Sequence, residues 1–123
     1  MASHNNEFVS HYHKCTIKIT LTGRDFITLN KEEVEEHVLK HSFRRAMVKG
    51  AITGKKLVIE DVDTGTDHVV DIYYYLGYVY IIHDLFRSNF IERRSLVAGD
   101  EIGFYWDHAS AKLCFSVLMR NFF

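Results

Sequence analysis

The sequence predicts a mainly β fold, a barrel or a sandwich, with two short helices. Three observations carry this reading. Apolar residues alternate with period two in run after run, as strands buried on one face require. Turn-forming residues punctuate these runs at intervals of about 8–12 residues. No long helical crossover separates the runs, so parallel α/β folds are excluded. Proline is wholly absent, so strand edges need protection other than proline, and barrel closure is one such means.

Taken in order, residues 1–10 are polar and expected to be a flexible N-terminus, and 11–120 form one domain. The start lacks the apolar stretch of a signal peptide, which makes intracellular residence the default. No apolar run approaches the ~20 residues of a membrane span, so a membrane partner is not expected. Cys15-Thr16-Ile17-Lys18-Ile19-Thr20-Leu21 alternates cleanly and is the first strand. Phe26-Ile27-Thr28-Leu29 follows a short connector as the second. Asn30 then caps a helix near 31–40, with Glu33 three residues on and acid enriched in the first turns, the order that the helix dipole prefers. Phe43 to Ala51 is a weak strand candidate. Lys56–Val62 and His68–Tyr75 form a hairpin about Asp63–Asp67, and Leu76-Gly77 turns into Tyr78–Ile82. Asp84 can cap a second helix near 84–92, carrying Leu85, Phe86, Asn89 and Phe90 at helical spacing. Ala98-Gly99-Asp100 turns into Glu101–Trp106, and Lys112–Leu118 is the last strand.

Ile17, Ile19, Leu57, Ile59, Phe90, Leu96, Ile102, Phe104, Leu113 and Phe115 are the expected core. Net charge is −1, but the charge is segregated. Every charged residue from Lys40 to Lys56 is basic, and every one from Glu60 to Asp71 is acidic. Such a chain can still present one basic face, or simply two solvated segments of opposite sign.

Candidate chemistry is sparse. His11 and His13 would point the same way on a strand, with Cys15 beyond them; the same parity runs into Ile17 and Ile19, so the core face is the simpler assignment and no metal is expected. Cys15 and Cys114 read as buried free thiols; a disulfide needs the terminal strands to be neighbours. Glu32, Glu33, Glu35 and Glu36 read as a solvated helix face. Ser88, Ser95 and Ser110 sit in no nucleophile elbow. Gly50 to Lys56 lacks the Ser or Thr of a phosphate loop. Neither an enzyme nor a cofactor is expected. Tyr73, Tyr74, Tyr75, Tyr78 and Tyr80 can stack bases where they face outward and fill the core where they face inward.

Two stretches resemble a known family. Tyr78 to Asp107 reads strand, helix with Phe90-Ile91, then Leu96-Val97-Ala98-Gly99-Asp100-Glu101-Ile102-Gly103-Phe104, and Leu29 to Leu39 reads strand end, basic residue, acidic helix. Both resemble the plant B3 DNA-binding domain, the module of auxin response factors and their relatives. The resemblance implies a seven-stranded open pseudobarrel with two short helices over roughly residues 13–119. It implies a nuclear, plant-type transcription regulator that binds double-stranded DNA through two arms. The first arm maps to Thr22–Lys31, offering Arg24, Thr28, Asn30 and Lys31. The second maps to Tyr75–Tyr78, offering Tyr75 and Tyr78, with Arg87 standing at the head of the second helix. That second arm has no Arg, Lys or Asn, and Phe86 or Arg87 occupies the place of the family's tryptophan. A pseudobarrel that has lost sequence-specific DNA binding and contacts other proteins is the alternative.

Overall fold

The computed structural model describes residues 11–39, 55–75, 79–83 and 85–121. The candidate strand at Phe43–Ala51, the basic residues from Lys40 to Lys49, the turn at Leu76-Gly77, Tyr78 and the cap residue Asp84 lie outside the described residues.

Among the described residues, seven strands form one sheet. They are β1 (Ile17–Thr20), β2 (Ile27–Asn30), β3 (Lys55–Asp61), β4 (Thr66–Tyr75), β5 (Val79–His83), β6 (Glu101–Asp107) and β7 (Lys112–Met119). Their order across the sheet is β1-β6-β7-β3-β4-β5-β2. The edge strands are thus β1 and β2, which follow each other in the chain. Laid flat, they would stand about 29 Å apart, six spacings of about 4.8 Å. The connector from Thr20 to Ile27 reaches at most about 25 Å. The sheet therefore has to curl, and it curls into an open half-barrel, the pseudobarrel expected from the sequence.

All neighbouring pairs are antiparallel except β3 with β7, which runs parallel over Ile59–Asp61. Local periodicity carries no sign of this pair, since its partners are far apart in the chain.

Inward residues of every strand meet in one core. Ile59, Ile82, Ile102 and Phe115 are fully buried, and Phe86 and Phe90 of the second helix close one side. Phe90 stacks on Phe86 at 5.2 Å and meets the edge of Phe115 at 4.7 Å, and Phe104 lies 5.7 Å from Phe115. Of the expected core, Ile19 alone is only partly buried; it lies on edge strand β1, which pairs with one strand, β6, among the described residues.

The first helix is α-helical over Lys31–Val34 and π-helical over Glu35–Leu39. Asn30 caps it as the sequence predicts, accepting from the Glu32 and Glu33 amides at 2.9 and 3.2 Å. The second helix is π-helical over Arg87–Glu92.

One expectation near the N-terminus is corrected, and the expectation of buried free thiols holds. His11 to Lys14 form a helical turn rather than a strand. Residues two apart on a helix point to different sides, so His11 and His13 do not share a face. The two cysteines are free. Strand β6 stands between β1 and β7, and two strand spacings, about 10 Å, exceed the span of a disulfide. Both thiols are buried, and burial pushes Cys15 up to about 12 and Cys114 up to about 11, so they stay protonated and unreactive at neutral pH. Cys15 packs over Gly103: a Cβ there would lie 2.5 Å from Cys15 Sγ and 2.7 Å from Leu118 Cδ1. Cys15 thereby covers Gly103 on β6.

Candidate nucleic-acid interface

The site is built on β2, an edge strand of four residues. Thr28 and Asn30 alternate outward while Ile27 and Leu29 are buried. Its inner flank pairs with β5, and no other strand among the described residues pairs with its second flank. The register distributes the sequence-predicted residues along it. Thr28 pairs with Ile81, which pairs with Tyr73. Asn30 pairs with Val79, which pairs with Tyr75. Asn30, Lys31 and the base of the Tyr75 hairpin therefore share one end of the sheet. The register places the base of this hairpin beside the arm's end, with Val79 on the neighbouring strand and Tyr75 one strand further.

Arg24 is at the other end, before β2 begins. About 10 Å of strand separates the two groups, roughly three base-pair steps of a duplex at 3.4 Å each. Arg24 is exposed, and its guanidinium sits 5.7 Å from the ring centre of Phe26, which meets His83 edge-on at 5.6 Å. Arg87 joins this end. Its Nη1 lies 3.6 Å from Asp25 Oδ2, and its Nε donates to Glu92 Oε2 at 3.0 Å. The second helix and the first arm thus meet through an ion pair.

The two ends differ in charge. At the far end Lys31 is followed by exposed Glu32, Glu33, Glu35 and Glu36. Asn30 has its side-chain oxygen committed to the helix cap, so that oxygen is already occupied by two amides. At the near end Arg24 makes no ion pair with a described residue, and Arg87 is held only by exposed carboxylates.

The acidic segment does not form a free negative face. Asp61 is fully buried and accepts from Arg93 Nη2 and Arg94 Nη1, each at 2.5 Å. Burial alone would raise its carboxyl; the hydrogen bonds and charges of Arg94 and Arg93 outweigh that and hold it below the ordinary carboxylate range. Asp63 accepts from Ser116 Oγ at 2.7 Å and from the Val117 amide at 2.8 Å. Asp67 pairs with Lys112 at 2.9 Å and Asp71 with Lys56 at 2.7 Å. Sequence reasoning missed this: acids of one hairpin serve as countercharges to the second helix, to β7 and to neighbouring β3. It also missed Asp25 and Glu92 as the partners of Arg87. Only the adjacency of Asp25 to Arg24 signalled a mixed-charge arm.

The tyrosines divide by face. Tyr80 is buried, donates to Glu35 Oε2 at 3.4 Å and packs 4.8 Å from Tyr74, while Tyr73 lies on the other face, half-buried. Of these three, Tyr73 alone keeps an outward position.

Residues 15–118 match the family described as B3 domain-containing protein At5g26805, C-terminal domain. The chain is 38% identical over 111 residues to putative B3 domain-containing protein At1g78640 of Arabidopsis thaliana, covering 85% of this chain and 22% of that protein. It is 33% identical over 112 residues to B3 domain-containing protein At4g02870 of the same plant, covering 86% of this chain and 35% of that one. It therefore spans about a fifth to a third of the length of these two relatives. Among solved structures, the Arabidopsis FUS3-DNA complex matches the fold with a TM-score of 0.68 at 16% identity, over 87% of this chain and 99% of that chain. With a family match over nearly the whole β sheet and an open half-barrel of the same architecture, the chain belongs to the B3 domain family.

Proposed function

We propose that this is the DNA-binding domain of a plant-type transcription regulator acting in the nucleus, and that it grips duplex DNA along β2 and its flanks. The observation that carries this reading is the edge strand itself. Thr28 stands exposed on it, Arg24 is exposed before it, Lys31 is half-exposed just past it, and Arg87 is drawn to its start. Arg24 supplies paired donors for a guanine edge or a phosphate, and Lys31 supplies a phosphate contact. Thr28 offers a hydroxyl between them. Asn30 contributes its amide N–H groups, since its oxygen caps the helix. Tyr75 and Tyr78 of the second arm contribute no charge, so affinity rests on the first arm and Arg87. The reading is further supported by the solved relative whose fold matches, which is a complex with DNA.

The test is duplex binding measured across salt. With so few cationic contacts, a dissociation constant of about 10⁻⁴–10⁻⁶ M is expected at physiological salt. Lys31→Ala should weaken binding to all sequences and flatten the salt slope by about one unit. Arg24→Ala should cost about 1–3 kcal/mol and relax preference at one position. A folded sample that binds no duplex even at low salt defeats the proposal. It would favour a protein-interaction module, for which the exposed cross-strand pair Val58 and Val69 on the outer face of β3 and β4 is the supporting observation.

A further inference from the structure

Asp25 follows Arg24 in the chain and lies 3.6 Å from Arg87 Nη1. A carboxylate there repels the phosphate that both arginines would attract. We propose that Asp25 is a built-in competitor for phosphate: it holds Arg87 in the unbound domain and yields it when a DNA backbone arrives, so that it sets the affinity of this end of the interface. The inference rests on the DNA-binding reading above.

Three features support the exchange. The Asp25 and Arg87 side chains are each 58% exposed, and an ion pair so open to water is screened and contributes little, so displacing it costs little. A phosphate offers the guanidinium a bidentate, charge-assisted partner in return. The connector does not need Asp25 for its path. It is tied down on one side by the bonds of Leu21 with Asp100 and Gly99, each 2.8 Å, and on the other by the pairing of Ile27 with Ile82. The contact of Arg87 with Glu92 lies within one helix and can persist after the exchange. Asp25 comes from another element, so it is the partner that a ligand replaces.

The experiment compares wild type, Asp25→Asn, Arg87→Ala and the double variant for binding to a labelled random-sequence duplex over a range of salt, with thermal unfolding as a check on folding. Asp25→Asn should bind about 2- to 5-fold tighter at low salt, the scale of one surface ion pair. Its salt slope should stay close to that of wild type, because Arg87 meets the phosphate in both complexes and the number of phosphate contacts is unchanged. In the Arg87→Ala background the same substitution should give no gain. Asp25→Ser serves the same purpose should Asn disturb the connector. If wild type binds and neither Asp25 variant binds tighter, the competitor role is overturned and the DNA reading stands. An equal gain with and without Arg87 overturns it too, since the effect would then be general charge. If no form binds duplex although all are folded, the DNA reading itself fails.

Discussion

Asp61 shows how one residue joins distant parts of the chain. Its side chain has no exposed surface, yet it is charged, and it is tolerated because Arg93 and Arg94 converge on it from the end of the second helix. Replacing Asp61 by Asn should cost about 2–4 kcal/mol in denaturant unfolding, at or somewhat below the range for a fully buried pair because both guanidiniums keep some access to water. The same site shapes the acid limit. The Asp61 carboxyl is held lower in the folded state than in the unfolded chain. Its contribution is therefore present above about pH 4, the unfolded value, and is lost as pH falls through the lowered folded value. Wild type should lose stability progressively below pH ~4, and Asp61→Asn should show a shallower loss over that window. Equal slopes in the two proteins would show that Asp61 is not a source of the acid sensitivity.

Asn30 serves two elements at once: it ends β2 and starts the first helix. Asn30→Ala removes the acceptor for two amides and should lower stability by about 1 kcal/mol. Asn30→Asp keeps the acceptor and should keep the stability, while adding a negative charge where phosphate is expected. Thermal unfolding and duplex binding on the same pair of variants separate the two roles. Loss of binding in Asn30→Asp without loss of stability is the expected result; unchanged binding would remove Asn30 from the interface. The Gly99–Asp100 turn is a second element with a local explanation. Gly99 has φ +93, which glycine adopts without strain, and Asp100 accepts from the Val97 amide at 2.9 Å and the Asn121 amide at 2.6 Å. The turn thereby ties the loop before β6 to the chain end after β7.

For the molecule as a whole, the curl of the sheet makes one core out of seven short strands, and Phe104 sits in the middle of it. It is 1% exposed, pairs with Ile17 in register and packs on Phe115. Phe104→Ala should cost about 3–5 kcal/mol by denaturant melting. A loss under about 1 kcal/mol would mean that the core closes without this ring. Among the described residues the curl leaves β2 as an edge strand, so the architecture and the candidate site have one cause. The edge strands are short, four residues each, which limits their capacity to pair with another chain.

Each of the seven strands was legible in the sequence, because a strand half-buried in a sheet imposes period two on its own residues. The Asn30 cap and the Gly99-Asp100 turn were legible because their bonds close within a few residues. The resemblance carried by Leu96 to Phe104 and by Leu29 to Leu39 was enough to name the family and to point to Arg24, Thr28, Asn30, Lys31 and Arg87. Tertiary structure alone decided what those residues face. The parallel pairing of β3 with β7, the burial of Asp61 beneath two arginines and the contact of Asp25 with Arg87 all join segments distant in sequence, and no local period encodes such a partner. The same holds at the N-terminus, where an alternating pattern from His11 suggested a strand. His11 to Lys14 instead take a helical turn, and Cys15 beyond it packs over Gly103. Local pattern states which side of an element is apolar; only the packed molecule states what meets it.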